Sequence, residues 1–351
     1  MPKPTTLPPN KRSHRLAFML AWPMAILTFA LLTTTASDIG VTWDEPIYAT
    51  CAENAAWWLQ TLLRDPAAAF APEGIGRGWG LAHEHPPLVR VVSGLGWMAT
   101  KARLPPPLTH RAGNMALAAA LIGLMVYWGT RLSGRPLAGL FAAAALLSMP
   151  RLFFHAHLAA LDFPLAAVWT VATLDLYSVM RWEASEATAS PRHLLQTALR
   201  LGLWLGLALL TKINAVLLVP FWGLWLLIYR RTRRHFIAFA LSLPVALALL
   251  IAAWPWLWAD PLDRLRDWVQ FFRVHFEIRQ WFAGHLYVDT PWYLPVVMVL
   301  VTTPVILLLL AALGVLREPK PATENRPRPP ARKRWLPSPW VGLHLCGMAI
   351  V

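Results

Sequence analysis

A run of about 20 mostly apolar residues is long enough to cross a bilayer, and this sequence contains that pattern again and again. Leu16–Ala36 is the first. Gly113–Leu132, Pro136–Met149, Phe163–Met180, Leu194–Leu210, Ile213–Tyr229, Phe236–Trp258 and Trp292–Leu316 follow, and Trp340–Val351 begins another. The pattern predicts about eight full helices and one fragment, an all-α polytopic membrane protein. Leu16–Ala36 has a basic stretch before it, as a signal peptide does. Its apolar stretch exceeds the roughly 7–15 residues of a signal h-region, so it reads as a retained helix. Leu194–Leu210 and Ile213–Tyr229 are separated by Thr211-Lys212 and read as a hairpin.

Charge orients the bundle. Lys3, Lys11, Arg12 and Arg15 precede the first run; Arg131 and Arg135, Arg181 and Arg192, then Arg230, Arg231, Arg233 and Arg234 fall in alternate loops. The segment Arg317–Arg334 adds seven more. Positive charge marks the cytoplasmic side, so the N-terminus is expected there. This accounts for the net charge of +14 without nucleic acid as a partner. Only 14% of residues are charged, against about 25% in a soluble domain. The 20 Trp suit a membrane interface. Cys51 and Cys346 make neither a disulfide framework nor a zinc spacing.

The expected organisation is a cytoplasmic tail (1–15), a membrane domain (16–316), a basic Pro-rich cytoplasmic loop (317–339) and the start of a truncated further helix (340–351). Two long outer loops, 37–112 and 259–291, hold 12 of the 18 acids. Long connections are usually functional. Tyr48–Leu63, Pro86–Thr100 and Leu262–Phe282 are amphipathic and Trp- or Phe-rich, and read as helices in the outer interface.

Three constellations could carry chemistry. Asp44-Glu45 follows the first span, between Trp43 and Pro46. A carboxylate there can serve as a general base or hold a cation; equally, it can simply cap the next helix. His83-Glu84-His85-Pro86-Pro87 puts His85 at a helix N-terminus, a place for phosphate. The third is His155-Ala156-His157 followed by Asp162 at the mouth of a span. There an acid is costly and often functional, or else merely favourable at the helix dipole. Lys212 falls on the outer side, against the charge trend. Arg264, Arg266, Arg273, His275 and Arg279 form a basic stretch suited to phosphate. No Walker A, GxGxxG or GxSxG motif is present.

In this order, the pieces resemble the polyprenyl-phosphate-sugar-dependent glycosyltransferases of the GT-C fold, of the protein O-mannosyltransferase and lipid A aminoarabinose transferase type. The likeness rests on Asp44-Glu45, His85-Pro86-Pro87-Leu88, His155–Asp162-Phe163-Pro164 and Gly206–Lys212. It continues through Gly284–Leu286, Thr290–Pro295 and Thr303-Pro304, so it spans about residues 16–316.

The resemblance implies a GT-C-type helix bundle that moves a hexose or pentose from a polyprenyl-phosphate carrier to a protein, lipid or glycan hydroxyl, with inversion. It implies a multi-pass protein of a bacterial plasma membrane, with its site on the non-cytoplasmic face. Asp44 would be the general base, Glu45 a helper in acceptor or base positioning and Asp162 a second acidic site residue. His85, Lys212, His155, His157, Arg273 and Arg279 would bind donor phosphate or substrate. No cofactor is firmly implied; Asp44 and Asp162 could hold a divalent cation. The alternative of another class is a lipid or small-solute transporter or flippase.

Overall fold

The computed structural model describes residues 11–182, 190–229, 233–274 and 279–316. The tail 1–10, Arg230, Arg231, His275, Glu277, the loop 317–339 and the run 340–351 lie outside these residues. The described chain is mostly helical, as a polytopic all-α protein should be. Its one departure is a two-stranded hairpin, β1 (Gln280–Phe282) with β2 (His285–Tyr287). Ala283 and Gly284 both have positive φ at its turn, the conformation that matches strand twist in two-residue hairpins. The helix expected over Leu262–Phe282 is therefore shorter.

The helices, in chain order, begin with α1 (Lys11–Thr35). The segment 37–112 builds α2 (Glu45–Arg64), α3 (Pro66–Phe70), α4 (Pro72–Trp79) and α5 (Pro87–Thr100) before α6 begins. Next come α6 (Leu108–Ser133), α7 (Pro136–Leu147), α8 (Pro150–His157), α9 (Asp162–Trp182) and α10 (Pro191–Leu209). The last are α11 (Leu218–Tyr229), α12 (Arg233–Ala253), α13 (Pro261–Arg273), α14 (Leu294–Thr302) and α15 (Val305–Leu316). Proline starts many of them, at the position where a missing N–H costs nothing.

The same residue breaks several of the expected spans. Among the described residues, three helices (α1, α6, α12) are long and apolar enough to cross a membrane by length and composition, or up to five spans if each of two bent pairs counts as one. Pro136–Met149 is not one straight span. α7 has 12 residues, about 18 Å, and α8 leaves it at 76°. Met149 is extended because Pro150 disfavours a helical residue before it. Thr303 is extended before Pro304 in the same way, and bends α14 against α15 by 108°. Trp254 before Pro255 ends α12 short of Trp258. Ile213–Tyr229 divides into a 3₁₀ turn (Ile213–Leu217) and α11, 12 residues long.

α9 and α10 have spanning length but carry charge inside. Asp175, buried on α9, is ion-paired with Arg200 of α10, and Trp204 Nε1 donates to its other oxygen at 3.1 Å. Phe221, Trp222 and Trp225 of α11 pack with Leu176 and Leu201 into the largest core cluster. Phe18, Met19, Trp22, Ile26 and Leu27 of α1 are exposed, an apolar surface suited to lipid.

α10 lies against α12 through Gly202 and Gly206, spaced as in small-residue membrane contacts. A Cβ on Gly202 would sit 2.5 Å from Val245 Cβ and 2.8 Å from the Ser242 oxygen. On Gly206 its nearest neighbour is the flexible end of Leu249, at 2.8 Å. Gly202→Leu is expected to destabilise by about 1–3 kcal/mol, the cost of overpacking. Gly206→Ala should cost less. Melting of the two purified variants in detergent checks the order.

Candidate functional site

The site starts from a buried ion pair on α6. Arg111 is fully buried and Glu45 is 3% exposed. Arg111 Nε and Nη2 donate to the two Glu45 oxygens at 2.8 and 2.7 Å. Its remaining N–H groups donate to the carbonyls of Ala36 (2.9 Å), Ile39 (2.8 Å) and Gly40 (2.7 Å). All five guanidinium donors are thus used. Glu45 also accepts from the Thr42 amide at 2.9 Å and the Ala159 amide at 3.0 Å. Burial pushes this carboxyl up, but Arg111 and the two amides outweigh burial and hold it below the ordinary range. Glu45 is therefore committed inside the protein. It ties together the loop that carries Asp44 and the loop that precedes Asp162.

Asn114, one turn along α6 and fully buried, holds that second loop. Its Nδ2 donates to the Leu158 carbonyl at 2.8 Å and the Ala160 carbonyl at 3.0 Å. Arg90 of α5 fixes a third loop, donating to the carbonyls of Leu81 (3.3 Å), Ala82 (2.7 Å) and His85 (3.1 Å). Three loops are thus set by side chains of two helices.

What these loops present is largely uncommitted. Asp44 occupies the N-cap position of α2, yet its side chain makes no cap bond, so the capping explanation does not apply. The side chain is exposed. Tyr48, one turn on, lies between Asp44 and His85. Its hydroxyl is 3.4 Å from His85 Nε2 and the rings meet edge to face. Burial, then the charges of Asp44, Asp162 and Glu84, push the phenol far up, so it stays protonated. That set of charges shows the carboxylates gathered around Tyr48. His85 is lowered, first by burial and against the pull of Glu84. It is neutral at pH 7, not the standing cation that a phosphate contact would favour. Its Nδ1 is buried without a hydrogen bond among the described residues, as is His155 Nδ1.

Asp162 begins α9, and Lys212 Nζ donates to its Oδ1 at 2.7 Å. The carboxylate is about half exposed (56%) and the ammonium 28%. Burial pushes Asp162 up; Lys212, then His155 and Arg151, outweigh it and hold it low. Lys212 is brought there by an extended residue between α10 and the 3₁₀ turn. The neighbouring Leu210 carbonyl, accepting from the Leu88 amide at 2.9 Å, joins that break to α5.

Other expectations separate. His157 is fully buried; its Nδ1–H donates to the Phe153 carbonyl and its Nε2 meets the Thr35 hydroxyl, both at 2.8 Å. It clamps α8 to the end of α1 and faces no substrate. Arg273 and Arg279 are exposed. Of the basic stretch, Arg264 stands over the Trp256 ring at 5.1 Å, and Trp256 stacks on His83. No group of three or more His, Cys, Asp or Glu that could hold a metal ion occurs among the described residues. Tyr48, Arg90, Arg111 and Asn114 were missed from sequence. Tyr48 was within reach, since i and i+4 share a helix face.

The assembled group can take a proton at Asp44, holds two histidines close by with a buried Nδ1 unpartnered among the described residues, and sets a cation against an anion at Lys212. Compared with known proteins, the chain matches no family model, no curated protein and no solved structure.

Proposed function

We propose that the chain is an integral-membrane glycosyltransferase of GT-C type that moves a sugar from a polyprenyl-phosphate carrier to a hydroxyl acceptor on the outer face. The observation that carries this reading is Asp44: an exposed carboxylate at a helix start that caps nothing and that acts, with Asp162 of the Asp162–Lys212 pair, on the same Tyr48, in a chain with lipid-suited helices. In the proposed step, the acceptor O–H proton passes to Asp44 as its oxygen bonds the anomeric carbon. The bond from that carbon to the carrier phosphate breaks, and the phosphate leaves as an anion with the electron pair. One displacement inverts the centre. Lys212 meets the leaving charge, in place of the acid that glycosidases use. His85 and His155 contribute hydrogen bonds as neutral rings, and Glu45 holds the Asp44 loop.

Lys212→Met is expected to weaken use of a carrier-bound sugar by about 10²-fold, the scale of losing one charged stabiliser, with Lys212→Arg recovering part. The test is sugar transfer in membranes that contain the protein at matched abundance, with labelled polyprenyl-phosphate sugars. Label that leaves the carrier for an acceptor supports the reading, and the labelled product names the acceptor as protein, lipid or glycan.

Asp175–Arg200 favours a second reading. Asp175 is buried and its partner Arg200 half exposed, and ionisable residues within membrane helices often mark transport pathways. A lipid or solute transporter would move the carrier or its sugar across unchanged.

A further inference from the structure

A second cavity lies away from Asp44, between α3–α4 and the turn that follows α12. It holds about 520 Å³, within the usual range of small-molecule sites. Its walls are Phe70, Ile75, Gly76, Trp256 and Trp258, and Arg264 is the one charged side chain among the described residues that line it. The walls are fixed. Phe70 stacks on Trp258 with centroids 5.4 Å apart, and Trp258 Nε1 donates to the Ile251 carbonyl at 2.8 Å. Arg264 donates to the Trp256 carbonyl and lies over its ring. The guanidinium is thus held at one end of an apolar trough.

Position narrows the occupant. Trp256 and Trp258 come directly after α12, one of the helices apolar and long enough to span. The cavity therefore opens at the level where such a helix meets the interface, which Trp favours. An apolar trough at that depth with a single cation matches an amphiphile with an anionic head. A carbohydrate would need several polar partners, and this wall offers few.

We propose that this cavity binds a phosphate-headed anionic membrane lipid, its phosphate on Arg264 and the apolar part next to it along Phe70, Trp256 and Trp258. The site is separate from the transfer reading, because occupancy requires no turnover. Gly76 lines the cavity and provides a block. A Cβ there meets nothing within 4 Å, so a larger side chain can be added at this wall without a backbone clash.

The experiment is native mass spectrometry of the full chain in detergent, titrated with short-chain phosphatidylglycerol, phosphatidylcholine or inorganic phosphate. Phosphatidylglycerol is expected to be retained about tenfold better than phosphatidylcholine, because Arg holds a net anion through charge-assisted hydrogen bonds. Arg264→Gln should remove that preference, Arg264→Lys restore part of it, and Gly76→Leu lower retention about tenfold or more. Gly76→Ala, melting like wild type, shows that the helix tolerates the position. Phosphatidylcholine held equally well, or a preference that survives Arg264→Gln, would overturn the proposal. Inorganic phosphate that displaces the lipid fully at equal concentration would assign a free-anion site instead. Retention of a neutral oligosaccharide that Gly76→Leu abolishes would likewise overturn the lipid.

Discussion

Arg111→Met should unseat the loops around Asp44 and Asp162. The substitution leaves Glu45 charged and buried, strands the carbonyls of Ala36, Ile39 and Gly40, and frees the loop that carries Asp44. Removing one partner of a buried pair costs about 3–5 kcal/mol, far more than a surface pair returns. The loss should appear as a lower melting temperature and as faster proteolysis between residues 36 and 44. Glu45→Gln added to Arg111→Met should return part of the loss, since the stranded charge is gone. Melting of Arg111→Met unchanged from wild type would refute the anchoring role.

The pair also fixes a pH dependence. Glu45 is depressed in the folded protein, so its stabilisation is complete above the unfolded value, about 4.3, and is lost as pH falls through the folded value below it. Asp162 behaves in the same sense from about 3.9. Neither group should loosen the outer loops between pH 5 and 8.

Asp44→Asn is expected to lower sugar transfer by about 10²–10⁴-fold, the usual contribution of one positioned base. The change is nearly isosteric and removes no hydrogen bond of the fold, because the carboxylate makes no cap bond. Stability should therefore stay within about 0.5 kcal/mol of wild type, as for a surface substitution. Carrier binding should persist as well, since Lys212 is untouched. A variant that melts like wild type, binds the carrier and fails to transfer separates chemistry from folding. Full activity in Asp44→Asn would move the base elsewhere.

Much of this arrangement was legible in the sequence. The outer helices α2 and α5 follow from amphipathic stretches between proline starts and lie within a few residues of where the pattern put them. Asp162 and Lys212 were singled out separately, one at a span mouth and the other against the charge trend, and the fold joins them at 2.7 Å. The breaks at Met149, Trp254 and Thr303 were present as X-Pro steps, but apolar length had been weighted over them. Glu45 was named as a helper in acceptor or base positioning, but its partner Arg111 was not legible, because the two lie 66 residues apart. Asn114 and Arg90 were hidden for the same reason: each serves carbonyls of a distant loop, and carbonyls leave no trace in a sequence. Asp175 and Arg200 were passed over because each sits alone in an apolar run; only the packing of α9 on α10 makes them a pair.

The most direct measurement uses the purified chain in vesicles, given a polyprenyl-phosphate sugar labelled on the sugar together with a hydroxyl acceptor. The account predicts that label passes to the acceptor with inversion, that free polyprenyl phosphate accumulates in equal amount, and that Asp44→Asn abolishes both. Intact carrier sugar moved to the opposite leaflet, with no bond cut and no dependence on Asp44, would contradict it.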